Sequence, residues 1–175
     1  MILNQNKQLT LLLGIFFCIT YTSIAQTDKS KRPSPPAQVS DTIKNTVITI
    51  DYSQPSVRER KIWDGLVPYG KVWRTGANEA SWFEVSEDVK INGKELKAGK
   101  YGLFTIPGDN KWVIIFNEVW NQWGAYDYDK NKDVLRVKAT PEESESFNEQ
   151  FTITISDDGT VKLEWENVSV PFTVE

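Results

Sequence analysis

The chain has 175 residues, of which 39% are hydrophobic, 12% aromatic and 25% charged, and its net charge is −4. It contains no histidine, which excludes Ser-His-Asp triads, HExxH zinc proteases and imidazole metal sites. Its one cysteine, Cys18, lies in an N-terminal stretch that we predict to be removed. The mature chain then has no disulfide, thiolate nucleophile or cysteine-ligated metal.

The first 25 residues are typical of a secretory signal peptide. Lys7 is their only charged residue, an apolar run extends from Leu9 to Ile24, and Ser23 and Ala25 occupy the small-residue cleavage positions. The run contains glycine, serine and threonine and is too short and polar for a span of about 20 apolar residues. We therefore predict cleavage after Ala25, a mature net charge of −5, no membrane span, and a periplasmic, secreted or cell-surface location.

Residues 26–40 are rich in proline, serine and charge, which predicts a linker or arm. Lys29, Lys31 and Arg32 lie within it, but the mature chain is mildly acidic, whereas nucleic-acid binding requires clustered cations. We predict no nucleic-acid partner, and we assign residues 41–175 to a single β-domain.

From Thr46 onward the hydrophobic pattern has a period of two, which is typical of β-strands. Asn92-Gly93 and Asp158-Gly159 favour tight hairpin turns, and no long stretch has helical periodicity. This pattern predicts an all-β fold, either an antiparallel β-sandwich or a partly closed barrel. The predicted strands are 46–52, 82–86, 89–91, 94–96, 100–106, 111–116, 134–139, 150–155, 160–165 and 168–174.

Two long segments, Ser53–Ala80 and Asn117–Asp133, do not alternate. Connections beyond about 12–15 residues are usually functional or disordered. Both segments contain large aromatic residues that are costly to leave in water, so we predict loops that pack on the sheet and carry any binding surface. These aromatic residues are Trp63, Tyr69, Trp73, Trp120, Trp123, Tyr126 and Tyr128.

The first of these loops contains a dense polar stretch, LVPYGKVWRTGANEA, from Leu66 to Ala80. Arg74, Asn78 and Glu79 are close enough along it to converge on one side. The planar fork of an arginine matches a carboxylate or a pair of sugar hydroxyls. A clasp made of Arg–Glu pairs and a loop-anchoring asparagine has the same composition, so both interpretations stay open here.

Trp120 and Trp123, with Tyr126 and Tyr128, suggest either a stacking platform for sugar rings or ordinary packing. The adjacent DYDKNKD segment (127–133) alternates oxygen ligands as calcium loops do. It has Lys132 where such a loop requires glycine and Lys138 where it requires glutamate. We predict no metal site and no cofactor.

Three segments of the chain resemble a known family. They are ITIDYSQPSVRERKIWDGLVPYGKVWRTGANEA, VKINGKELKAGKYGLFTIPGDNKWVIIFN and WNQWGAYDYDKNKDVLRV. Over roughly residues 32–175 the chain is similar to secreted proteins of Bacteroidetes-type bacteria known as domain of unknown function twenty-nine eleven. The resemblance implies an exported β-domain and no established activity.

The chain departs from the family pattern at three positions. Gln54 stands where the family has arginine, and Glu59 and Asp64 stand where it tends to have glycine. The resemblance therefore implies that Gln54 carries no essential charge chemistry. The residues that fit the family motif are Arg60, Arg74, Asn78 and Glu79.

Two functional hypotheses follow. The leading one is an exported, non-catalytic binding or structural module, with a glycan or small polar molecule as its ligand. The alternative is a carboxylate-dependent, glycosidase-like hydrolase with Glu79 as acid or base, because glycoside hydrolysis requires only two flanking carboxyl groups. The predicted ligand-binding residues are Arg60, Trp73, Arg74, Asn78, Glu79, Trp120 and Trp123.

Overall fold

The computed structural model describes residues 28–175, so the predicted signal peptide and Cys18 lie outside the described residues. Short 3₁₀ turns span Lys29–Lys31 and Lys130–Lys132. Within residues 28–175, no helix is long and apolar enough to cross a membrane. The strands are β1 Pro36–Ile43, β2 Thr46–Ser53, β3 Ser81–Val85, β4 Val89–Ile91, β5 Lys94–Leu96, β6 Gly99–Ile106, β7 Trp112–Asn117, β8 Asp133–Ala139, β9 Glu142–Ile155 and β10 Thr160–Thr173.

The main sheet has six antiparallel strands in the order β1-β2-β3-β6-β7-β8. The long hairpin β9–β10 and the short hairpin β4–β5 form separate two-stranded sheets. A backbone bridge between Ile91 and Val174 joins the short hairpin to the end of the chain. The main sheet does not close on itself, because β1 and β8 remain its edges.

The core lies between the main sheet and the β9–β10 hairpin. Phe172 on β10 packs against Phe83 on β3 and Phe116 on β7, with ring centroids 6.4 and 6.2 Å apart. All three rings are fully buried. The all-β antiparallel prediction is confirmed, and it takes the form of an open sandwich rather than a closed barrel.

Two strands extend into sequence that the hydrophobic pattern did not mark. β1 begins at Pro36, so residues 36–40 of the predicted linker pair with β2, and the predicted domain boundary at residue 41 lies within a strand. β9 begins at Glu142 rather than at residue 150, and its polar first half pairs irregularly with β10. Both segments are exposed or half-buried, so backbone pairing defines them rather than burial.

The two predicted long loops are present between β2 and β3 and between β7 and β8, and both pack on the sandwich. Trp63 and Trp73 of the first loop insert into the core beside Trp112 and Trp165. Trp73 stacks on Trp165 with ring centroids 5.9 Å apart and planes 14° apart. The first loop is therefore anchored through its indole rings, which fixes the polar residues between them.

Candidate functional site

The two long loops meet beside the start of β3. Glu79 and Trp123 form a backbone bridge, the Gly124 amide donates to the Asn78 carbonyl at 3.1 Å, and the Ala80 amide donates to the Gln122 carbonyl at 3.0 Å. Residues that are about 45 positions apart in the chain therefore share one surface. The predicted site residues of both loops lie around this junction.

A recess of about 310 Å³ opens on the first-loop side of the junction. It brings together four of the predicted residues, Arg60, Trp73, Arg74 and Asn78. Its remaining lining residues are Ser34, Pro55, Leu66, Val67, Gly76, Ala77 and Trp165. We call this cavity the Arg74 recess.

Arg74 is a charged residue of the recess with unmet hydrogen-bonding capacity. Its side chain is half-buried, and its Nε is shielded from solvent with no acceptor among residues 28–175. Burial lowers the pKa of the guanidinium, and the neighbouring Tyr126 phenol opposes that effect. A methyl group on Gly124, which has a φ of +65°, would lie 3.4 Å from Arg74 Nη1. That distance is an ordinary contact, whereas the same methyl group would lie 3.1 and 3.2 Å from two ring carbons of Tyr126. The positive φ and the Tyr126 ring, rather than Arg74, favour glycine at this position.

Arg60 and Asn78 are committed to holding the loop backbone. Arg60 donates from Nε to the Val57 carbonyl at 3.0 Å and from Nη2 to the Ser56 carbonyl. Asn78 donates from Nδ2 to the Ser34 carbonyl at 3.0 Å and to Ser53 Oγ at 3.2 Å. The clasp interpretation therefore describes these two side chains.

Glu79 is ion-paired on both carboxylate oxygens, by residues of the predicted linker. Arg32 Nη1 lies 2.6 Å from Oε2, and Lys29 Nζ lies 3.0 Å from Oε1. Burial alone raises the pKa of Glu79, but the hydrogen bonds from Arg32, its own backbone and Lys29 outweigh it and lower the pKa to about 2. Glu79 lines a second cavity of about 180 Å³, together with Asp51, Trp82 and Trp120.

The family model described as "Protein of unknown function (DUF2911)" matches residues 34–174. The chain belongs to this family. No curated protein and no solved structure matches the chain. Membership confirms the resemblance carried by the three sequence segments and assigns no activity to the fold.

At two of the positions where the resemblance implied glycine, the backbone adopts angles that favour glycine. Glu59 has a φ of 57° and Asp64 a φ of 53°, both in the left-handed region. Side chains with a Cβ are strained there, whereas glycine is not. The third departure, Gln54, is used structurally, because its Nε2 donates to the Phe151 carbonyl at 3.3 Å.

The aromatic residues of the second loop divide into exposed and packed members. Trp123 is 54% exposed and Tyr126 is 82% exposed, and the Arg32 guanidinium lies 5.9 Å from the Trp123 ring. Trp120 is 38% exposed and lies over Lys100, with Nζ 4.2 Å from its ring. Tyr128 is not part of the exposed group, because its ring packs on Phe104.

Two of the three aspartates in the DYDKNKD segment make internal contacts. Asp133 accepts hydrogen bonds from Tyr128, Arg136 and Asn117, and Asp129 caps the 3₁₀ turn that follows it. Within residues 28–175, no group of three or more histidine, cysteine, aspartate or glutamate side chains is placed to hold a metal ion.

Sequence reasoning missed Trp165 as a recess residue. Trp165 is 1% exposed, lines the Arg74 recess, and has an indole Nε1 with no hydrogen-bond partner among residues 28–175. It lies on β10, where alternation predicts only core packing. No local signal in the sequence distinguishes a tryptophan whose N–H lacks an acceptor from one that is fully satisfied.

Proposed function

We propose that the protein is an exported, non-catalytic binding module whose Arg74 recess holds a glycan or another small polar molecule. The observation that carries the proposal is Arg74 itself. Its guanidinium lines an open recess, and no carboxylate pairs with it and no acceptor meets its Nε within residues 28–175. An unpaired buried donor lowers stability, so a binding role gives a reason for its presence.

The exposed rings beside the recess support the same proposal. Trp123 and Tyr126 flank Gly124, which lies over Arg74. Flat aromatic rings supply contact area at low entropic cost, and a few polar groups fix orientation, as in small-molecule sites generally. Export rests on the signal-peptide pattern in the sequence.

A second candidate is the carboxylate-dependent hydrolase. It is favoured by one observation, namely that Asp51 and Glu79 line one cavity and have pKa values displaced in opposite directions. Burial raises the pKa of Asp51, while the pKa of Glu79 is about 2. Glycosidases use such pairs as acid and base. The ion pairs on both Glu79 oxygens favour the binding module, because they hold this carboxylate ionised and without a proton to donate.

Ligand-dependent stabilisation tests the binding proposal. The mature protein is screened by thermal shift and calorimetry against neutral sugars, uronates, amino acids and small carboxylates. A ligand at 100 times its Kd should stabilise the fold by about 2.7 kcal/mol. Arg74→Met should abolish the effect, whereas Lys71→Met, which removes an exposed cation of the same loop, should preserve it.

The same variants separate binding from a structural role without any ligand. Arg74→Met should leave the free energy of unfolding unchanged or raise it by about 1 kcal/mol, because it removes an unsatisfied donor. A clasp role predicts a loss instead, as we expect for Asn78→Ala, at about 1–2 kcal/mol. No ligand shift across the panel, together with a destabilised Arg74→Met, would contradict the proposal.

A turnover assay tests the second candidate. Hydrolysis of a panel of aryl glycosides that is lost in both Glu79→Gln and Asp51→Asn, in proteins that remain folded by circular dichroism, would favour the hydrolase over the binding module.

A further inference from the structure

The Arg74 recess is rich in hydrogen-bond donors and has no acid. Among its described lining residues none is aspartate or glutamate, and two are arginines. Two of its lining residues, Arg74 and Trp165, carry a buried N–H group that lacks an acceptor within residues 28–175, namely Nε and Nε1. A guanidinium only donates hydrogen bonds, so a group that pairs with Arg74 must be an acceptor.

The other two described cavities both contain carboxylates. The 180 Å³ cavity contains the carboxylates of Asp51 and Glu79. The cavity of about 390 Å³ at the β4–β5 hairpin is lined by Asp88, Glu95 and Glu175, and Asp88 there pairs with Lys97 at 2.8 Å. Lysines line these cavities as well, Lys29 in the first and Lys90 and Lys97 in the second, so their carboxylates already have cationic neighbours. Of the three described cavities, only the Arg74 recess combines a guanidinium with the absence of any carboxylate.

Arg74 rather than Arg60 is the cation left for a ligand. Arg60 already donates from Nε and Nη2 to two backbone carbonyls of its own loop. The Arg74 Nε has no acceptor within residues 28–175. Charge-assisted bonds from a guanidinium to a carboxylate are about twice as strong as neutral ones, so the unmet donors favour an anionic acceptor over a hydroxyl.

We infer that the Arg74 recess binds a carboxylate, and that the ligand of this module is an acidic sugar or another small organic acid. The inference rests on the proposed binding function and narrows it to one class of ligand. A uronic acid fits both parts of the surface, because its carboxylate reaches Arg74 while its ring lies against Trp123 or Tyr126. A simple carboxylate uses the recess alone.

Matched acidic and neutral sugars test the inference. The probes are D-galacturonate against D-galactose and D-glucuronate against D-glucose, which differ at C6 only, with acetate as the simple carboxylate. Calorimetry on the mature protein should show each uronate binding at least about tenfold more tightly than its neutral partner. Arg74→Gln should remove that difference, and Lys71→Gln, the exposed control, should change it less than about twofold.

The indole resonances of the unmodified protein provide a second readout that does not depend on any variant of Arg74. In ¹⁵N-labelled protein the Trp165 Nε1–H peak, assigned by its loss in Trp165→Phe, should move with uronate and stay in place with the neutral sugar. If Arg74→Gln fails to fold, Arg74→Lys keeps the charge but removes the planar fork, and it should bind uronate more weakly than the unmodified protein.

The outcomes separate the two proposals. Equal binding of uronate and neutral sugar, or neutral sugar alone, would overturn the carboxylate inference and leave the binding module standing. Binding of acetate and uronates with equal affinity would support the recess as a general carboxylate site. Absence of binding by every probe, with the Trp165 peak unmoved, would overturn the inference. Absence across the whole screening panel, together with a destabilised Arg74→Met, would overturn the proposed function as well.

Discussion

Five non-glycine residues of the first long loop hold left-handed backbone angles, namely Arg58, Glu59, Asp64, Thr75 and Asn78. Such angles cost about 1–2 kcal/mol for a residue with a Cβ. Thr75, a β-branched residue, and Asn78 lie next to Arg74, and local strain of this kind is concentrated at functional sites. Glu59 and Asp64 lie on the exposed part of the loop, where neither side chain makes a described hydrogen bond or ion pair, although the Asp64 amide donates to the Val67 carbonyl at 3.0 Å.

Replacing Glu59 by glycine should therefore stabilise the protein. We expect the free energy of unfolding to rise by about 0.5–1 kcal/mol, because the relief of backbone strain exceeds the entropy that glycine adds to the unfolded chain. Urea unfolding followed by tryptophan fluorescence measures this change. Lys71→Gly is the control, since the φ of Lys71 is not positive, and it should lose about 0.5–1 kcal/mol. Equal losses in both variants would refute the strain argument.

At the scale of elements, residues 28–35 form an arm that is bound along the first loop. Lys29 and Arg32 form ion pairs with Glu79. The Ser34 carbonyl accepts a hydrogen bond from the Asn78 side chain, and the Pro35 carbonyl accepts one from the backbone amide of Gln54. The arm leads directly into β1, so its position is fixed at both ends. It supplies the charges that keep Glu79 ionised.

Arg32→Gln should weaken this attachment in a pH-dependent way. Glu79 has a pKa of about 2 in the folded protein against an ordinary value of 4.5, so its ion pairs stabilise the fold fully above about pH 4.5. That stabilisation is lost as the pH falls from 4.5 towards 2. Removing Arg32 should raise the pKa of Glu79, so the free energy of unfolding should fall less steeply between pH 4.5 and 2. At pH 7 the loss of stability should be at most about 1 kcal/mol, since the pair is partly exposed.

Urea midpoints measured from pH 2.5 to 7 provide the test. Lys31→Gln is the matched control, because Lys31 is exposed and pairs only with Asp28 in the described part of the chain, at 3.6 Å. We expect its pH profile to follow that of the unmodified protein. If the urea midpoints of Arg32→Gln depend on pH below 4.5 as those of the unmodified protein do, the arm does not control the protonation of Glu79.

At the scale of the whole molecule, the β9–β10 hairpin covers the open six-stranded sheet. Phe172 joins the two layers through Phe83 and Phe116, and the tryptophan cluster fills the space beneath the first loop. A core shared by the sheet, the hairpin and the loop predicts that they unfold together in one transition.

Phe172→Ala should therefore cost about 3–5 kcal/mol and lower the midpoint of a single cooperative transition. Phe147→Ala on the same hairpin is the control, because Phe147 is 55% exposed. Its cost should stay within about 0.5 kcal/mol. Guanidinium unfolding followed by fluorescence and far-ultraviolet circular dichroism compares the two variants. A biphasic Phe172→Ala transition would instead show that the hairpin unfolds separately from the sheet.

The alternation of apolar and polar residues was enough to predict the buried strands. β2, β3, β6, β7 and β8 lie close to their predicted ranges, because each buries at least one face. β1 and the first half of β9 were missed, since they are held by backbone pairing and bury little. Alternation of apolar and polar residues indicates that one face of a segment is buried. It therefore identifies a strand only where that strand is also buried.

By itself, the sequence determined the family, the antiparallel all-β architecture and the two aromatic loops, since these depend on local pattern and composition. Only the tertiary structure decided which of the clustered polar residues are paired. Arg74, Asn78 and Glu79 lie within six positions of one another, yet the side-chain partners of Asn78 and Glu79 are 25 to 50 residues away, and the Nε of Arg74 has no partner in the described chain. Pairing depends on which distant groups the fold brings within hydrogen-bonding distance, and a short motif contains no information about them.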